Sequence, residues 1–384
     1  MNNSKMKYGF CFLVLLTIFR FQLSKADCNV ASETVASGTF YEPKEKLCPG
    51  DLIFEDNFNT FDLEKWQHES TLAGGGNWEF QWYLNNRTNS YVNGGNLHIS
   101  PSFVSTDNGE DFLYSGTLDL NGGIPTDQCT NPSYYGCSRT GTATNIVNPV
   151  RSARIRTVDS LAFKYGSVEV RAKMPAGDWL WPAIWLLPRF NAYGGWPSSG
   201  EIDLLESRGN RNLYNSARVN VGTQQASSTL HWGPSVRANQ WTRTHFEKNN
   251  AAGYDTDFHV YKLVWTSNGM VFYIDNELIG SINPPEGGFW ELGEFASTGV
   301  SNPWAAGNRM APFDQKFYLI INLAVGGTNF FSDDLTNPGG KPWSNTSPTA
   351  FTDFWKGKSQ WEPTWNLGSD DSHLVVDYVR VYAV

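Results

Sequence analysis

The chain has 384 residues, with 38 acidic against 29 basic side chains and a formal net charge of −9. Such an excess of acid argues against nucleic acid or an anionic membrane as a partner and favours a neutral or weakly charged one. Length alone would suggest two domains, but all-β units often run past about 200 residues, and no linker, charge block or repeat divides this chain.

The first residues carry Lys5 and Lys7, then an apolar run from Gly9 to Phe19, with Ser24 and Ala26 at the minus-three and minus-one positions of a cleavage site. This is the layout of a secretory signal peptide over residues 1–26. The apolar core is too short for a membrane span, which needs about 20 residues. Cleavage would remove Cys11, four cations (Lys5, Lys7, Arg20, Lys25) and no acid, taking the net charge from −9 to −13. A secreted, extracellular protein with no membrane partner is expected.

Four cysteines remain, Cys28, Cys48, Cys129 and Cys137, and four allow three connectivities. Cys28–Cys48 and Cys129–Cys137 are favoured, because each pair closes a short loop bearing Pro or Gly. A zinc site is the competing reading, which no Cys-x-x-Cys spacing or clustered histidines support. Residues 27–50 then read as a disulfide-stapled arm ahead of a main domain over 51–384.

Along that domain, Asn77 and Glu79 in a Gly-Gly-Gly-Asn-Trp-Glu loop offer hydrogen bonds to a ligand. Asn86-Arg87-Thr88 and Asn345-Thr346-Ser347 are glycosylation sequons. Residues 106–148, poor in strand pattern, read as a long surface excursion, and 327–372 have a similar character. Arg154, in Ala-Arg-Ile-Arg, could hold a carboxylate or a sugar hydroxyl. Period-two alternation marks strands at Gly166–Lys173 and Leu374–Val384, and residues 270–279 read as two strands about a turn at Asp275-Asn276. Lys316–Val325 is an apolar run suited to a buried strand. With 36 Gly and 19 Pro for turns, and no helices between strands, the expected fold class is all-β, a sandwich of two sheets.

The most informative stretch is Glu201-Ile202-Asp203-Leu204-Leu205-Glu206. On a helix these acids would not share a face, and on a regular strand Glu206 would point away from Glu201 and Asp203. A β-bulge near Leu204 or Leu205 would bring all three together. Two nearby carboxyl groups with separated pKa values are what glycoside hydrolysis requires. An exposed acidic strand edge is the bland alternative. Trp179, Trp181, Trp185 and Trp196 precede the triplet, and an indole face can stack on a sugar ring. Core filling competes for each, and for Trp185 evenly. Trp196, in a loop leading into the acidic strand, is the better sugar platform. His231, in Leu-His-Trp-Gly, is the histidine expected near a ligand, with a buried, satisfied histidine as its rival.

This triplet resembles the signature of glycoside hydrolase family 16, in the bulged form of laminarinases. Ile53–Phe58, Val168–Pro175, Trp181–Trp185 and Val376–Tyr382 extend the likeness, which is nearest to insect endo-β-1,3-glucanases and the related β-glucan recognition proteins. The resemblance implies a β-jelly-roll sandwich of two antiparallel sheets with a concave substrate cleft, and a retaining double displacement. By motif position Glu201 would be the nucleophile, Glu206 the acid/base with a raised pKa, and Asp203 the residue that orients Glu201. Trp181, Trp185, Trp196 and His231 match positions lining sugar subsites. No cofactor is required. Some members hold a structural calcium, and Asp377 matches the aspartate that binds it.

The partner implied is a β-1,3-glucan polysaccharide, and the protein is expected to act as a monomer, with the gut lumen among the places such an enzyme works. Relatives that only bind glucan have typically lost a catalytic glutamate and carry an extra N-terminal domain. Here both glutamates are present, and residues 27–50 alone separate the signal from the first sandwich strand, which favours an endo-β-1,3-glucanase over a non-catalytic recognition protein. A transglycosylase would share the same residues. No Gly-x-Ser-x-Gly or His-Glu-x-x-His points to other hydrolases.

Overall fold

A computed structural model of the chain describes residues 28–122 and 128–384; the predicted signal segment lies outside them. Two large sheets, of nine and eight strands, dominate the structure, and every pairing within them is antiparallel. In the nine-stranded sheet, Leu180–Pro188 lies between Phe317–Val325 and Glu201–Ser207, which in turn pairs with Gln225–His231. Strands distant in sequence are thus neighbours in space, in a β-jelly-roll sandwich.

The apolar run Phe317–Val325 is buried at all nine positions because both faces of this central strand are covered. Leu319, Ile321 and Leu323 face the core between the sheets, whereas Tyr318 and Ile320 lie under Val158, Trp185 and Leu187 on the other face. In the eight-stranded sheet Val168, Val170 and Ala172 point inward at 0% exposure. Their alternates pair across strands on the outer face, as in Lys262–Glu169 at 3.6 Å and Arg380–Glu55 at 2.8 Å. The predicted turn is present too, with Asp275 and Asn276 both at positive φ between Met270–Ile274 and Glu277–Ile282.

Asp377 belongs to this charged face. Its carboxylate meets Arg171 Nη1 at 2.5 Å.

Both favoured disulfides, Cys28–Cys48 and Cys129–Cys137, are formed. The arm is more than a strap: Val35–Ser37 pairs with Ala162–Lys164 and adds an edge strand to the nine-stranded sheet. Residues 106–148 also depart from a pure surface excursion. The segment forms the short helices Val104–Asn108 and Glu110–Ser115 and the pairing Thr117–Asp119/Ser138–Thr140, and Leu113, Ile146 and Val147 enter the core. No helix among the described residues is long and apolar enough to cross a membrane.

The acidic strand Glu201–Ser207 carries the bulge. Asp203 stands opposite Thr229 and Glu206 opposite Ser227, so three steps on one strand meet two on the other. On the other edge Asp203 faces Trp185 and Leu205 faces Ile184, which makes Leu204 the extra residue. Leu204 and Leu205 both enter the core, at 1% and 0% exposure, so Glu206 returns to the face of Glu201 and Asp203. Gly200 lets the chain enter this strand at φ +84°, where an added Cβ would come within 2.8 Å of the Phe313 ring.

Two deletions test this register. Removing Leu204 should restore regular pairing with the three acids still on one face. The protein should fold, less stable by about 2–5 kcal/mol for the lost core leucine. Removing Ile202 makes Glu201 and Asp203 adjacent, so one carboxyl must enter the core, and no cooperative thermal transition is expected.

Candidate active site

Glu201, Asp203 and Glu206 stand on the face of the nine-stranded sheet that points away from the sandwich core, and His231 and Trp185 occupy the neighbouring strands. Direct cross-strand pairing places His231 opposite Glu201 and Trp185 opposite Asp203. His231 Nε2 lies 3.3 Å from Asp203 Oδ2 and 3.7 Å from Glu201 Oε1. Its other nitrogen, Nδ1, accepts from the Asn239 amide at 2.8 Å, which puts the imidazole proton on Nε2, facing the carboxyl groups.

Each glutamate also receives an indole N–H. Trp196 Nε1 donates to Glu201 Oε2 at 3.1 Å, and Trp181 Nε1 donates to Glu206 Oε1 at 3.1 Å. Trp181 is held parallel to Phe330, ring centroids 4.1 Å apart, and Arg208 covers the same phenylalanine. Trp196 is 43% exposed and tilts over the His231 ring, so a flat apolar surface remains free beside Glu201.

Trp185 is fixed from both sides. Its Nε1 donates to Asn322 Oδ1 at 2.7 Å, and the Arg154 guanidinium stacks over its ring at 4.5 Å. A desolvated cation–π contact of this kind is worth about 2 kcal/mol, more than a typical net hydrogen bond of about 1 kcal/mol. The stack therefore sets the ring position as firmly as the hydrogen bond does. Arg154 itself is buried against Glu69, Nε to Oε2 at 3.2 Å. It holds a carboxylate, the first of its two predicted roles, and reaches the acids only through Trp185 and its field. Asn77 donates to Glu79 Oε1 at 3.2 Å and accepts from Asn329 Nδ2 at 3.1 Å. Trp179 belongs to the core, at 0% exposure against Phe331 and Trp343.

Several supporting residues escaped the sequence reading: Asn239 behind His231, Phe330 behind Trp181, and Asn322 behind Trp185. Only Asn322 left a signal, as the lone amide in an otherwise apolar strand.

Burial dominates the electrostatics. It pushes Glu201 up to about 8 and Asp203 up to about 8; Glu206 rises to about 7, first from burial and then from the Asp203 charge. Asp203 also raises Glu201, while His231 opposes the rise at both glutamates. Sequence reasoning expected one raised carboxyl, yet all three are raised, because the sandwich desolvates the whole cluster and like charges crowd it. The cluster consequently retains protons near neutral pH, and its titration belongs to the group rather than to single residues.

These shifts set a sign for stability. Glu201 and Glu206 start from 4.5 and rise to about 8 and about 7 in the folded protein, so the folded state holds more protons across that window and stability falls as pH rises through it. Glu201→Gln and Glu206→Gln should each raise the melting temperature at pH 8 by a few degrees and leave it nearly unchanged at pH 4.5. Thermal melts at the two values check this.

The family model described as Glycosyl hydrolases family 16 matches residues 132–308. A beta-1,3-glucan-binding protein of Penaeus monodon is 53% identical over 89% of this chain and 92% of its own length. Beta-1,3-glucan-binding protein 1 of Galleria mellonella is 36% identical over 88% of this chain, which spans 65% of that relative's length. Among solved structures, the laminarinase from Rhodothermus marinus is similar with a TM-score of 0.54 and 26% identity, covering 87% of this chain and 97% of its own. The chain belongs to glycosyl hydrolases family 16.

Proposed function

We propose that the protein is a secreted endo-β-1,3-glucanase that hydrolyses laminarin-like glucans with retention of configuration. The observation that carries this reading is the convergence of Glu201, Asp203 and Glu206 on one desolvated face, with an indole N–H on each glutamate. In the first step a Glu201 carboxylate oxygen bonds to the anomeric carbon as the glycosidic C–O bond breaks, and Glu206 gives its proton to the departing oxygen. Water then attacks the glycosyl-enzyme, Glu206 takes its proton, and Glu201 leaves as carboxylate.

The Trp196 N–H on Glu201, with His231 Nε2 3.7 Å away, stabilises the charge it regains on release. Asp203 acts through charge: once ionised, it favours the proton on Glu206. The exposed Trp196 face would receive a sugar ring next to the nucleophile.

The names of the Penaeus and Galleria relatives favour a second reading, glucan recognition without turnover. That reading leaves the buried proton-sharing acids without a task, which is why hydrolysis is preferred.

Purified Glu201→Gln should lose laminarin hydrolysis by at least about a thousandfold, roughly 4 kcal/mol of barrier, while still sedimenting with insoluble β-1,3-glucan. Glu206→Gln should lose less on aryl glucosides with acidic leaving groups than on laminarin. A wild-type protein that binds laminarin and releases no reducing ends would establish the recognition reading instead.

A further inference from the structure

A second cluster of ligating side chains lies on the outer face of the eight-stranded sheet. His98 stands in the strand Asn96–Ile99, between the core residues Leu97 and Ile99, and so points outward. His373 and Asp370 come from the turn that feeds the strand Leu374–Tyr382, whose Val375 is the cross-strand partner of His98. Both imidazoles are covered, at 2% and 5% exposure, whereas Asp370 is open to solvent. Tyr91 lies flat on His98, with ring centroids 5.1 Å apart.

The hydrogen bonding around His98 leaves a specific gap. Its Nε2 faces the Asn93 carbonyl at 3.4 Å, which puts the proton on that nitrogen and leaves Nδ1 a bare lone pair. Nδ1 is buried and has no hydrogen-bond partner among the described residues. It points at Asp370 Oδ1, 3.7 Å away, and His373 Nδ1 lies 3.5 Å from the same oxygen. Two acceptors face each other with no proton between them, an arrangement that a cation would satisfy.

One ligand atom from each of the three residues falls within 4.8 Å of the others. Donors around tetrahedral zinc, with bonds of about 2.0–2.2 Å, stand about 3.4 Å apart, so the two separations from Asp370 Oδ1 need only a small contraction, and binding would displace the Tyr91 hydroxyl 3.5 Å from His373 Nδ1. We propose that His98, His373 and Asp370 form a site for a borderline divalent metal ion, best matched by zinc, on the sheet face remote from the catalytic acids. Metal-bound histidines commonly give their second N–H to a carbonyl, as His98 does to Asn93. Two imidazoles and one carboxylate disfavour a hard oxygen-seeking ion such as calcium. The exposed side of Asp370 leaves a position for water. The site shares no residue with Asp377, and its ion would tie the hairpin Ser90–Ile99 to the turn before the last strand.

The test uses tag-free full-length protein, stripped with EDTA, dialysed and titrated with zinc chloride by calorimetry, with melting temperature as a second readout. Saturable uptake of one zinc, with a melting temperature raised by a few degrees, is expected. Asp370→Asn, at an exposed position, should weaken uptake by roughly tenfold or more, and His373→Gln should do the same. His231→Asn, which alters the only other such cluster among the described residues, should leave uptake intact. Absence of uptake in the wild type, full uptake in Asp370→Asn and His373→Gln, or loss in His231→Asn would each overturn the proposal.

Discussion

The proposed chemistry depends on three carboxyl groups being kept together where water cannot fully screen them. Left to itself, a strand carrying Glu201, Asp203 and Glu206 would relieve their repulsion by turning one away. The extra residue Leu204 prevents this, since returning Glu206 to the other side would bring Leu204 or Leu205 out of the core. Burying a leucine contributes about 1.5–3 kcal/mol, and two of them anchor the bulge. Apolar packing on one face of the strand thus enforces electrostatic crowding on the other.

The sandwich supports that crowding through side chains held from behind. Asn239 sets the tautomer of His231, Phe330 holds Trp181 flat, and Asn322 with Arg154 clamps Trp185. His231 and Trp181, which stand against the acids, are therefore each fixed by a partner that does not touch them. The arrangement is pre-formed, so a substrate would not have to supply the energy of assembling it. The opposite outer face follows another logic: charged side chains pair there, Arg171 with Asp377 among them.

Much of this was legible in the sequence, for identifiable reasons. The bulge could be read because the spacing of the three acids fits no regular element. The strands Gly166–Lys173 and Leu374–Tyr382 could be read because one face is apolar and the other charged. The partners of the site could not. Asn239 lies in a polar loop with nothing to distinguish it from its neighbours, and Phe330 precedes a second phenylalanine that goes to the core instead. Trp179 and Trp181 are two residues apart on opposite sides of a strand entrance, one in the core and one on an acid, because Trp179 adopts φ +71°. The edge strand Val35–Ser37 was hidden because its pairing partner is more than a hundred residues away.

The central claim is that Glu201 and Glu206 carry out a double displacement rather than merely lining a glucan-binding groove. Proton NMR of the wild-type protein acting on a laminari-oligosaccharide, recorded before mutarotation equilibrates the new reducing ends, tests it directly. The account predicts that the β-anomer appears first and the α-anomer only later. Initial formation of the α-anomer, or an unchanged substrate spectrum in the presence of bound glucan, would contradict it.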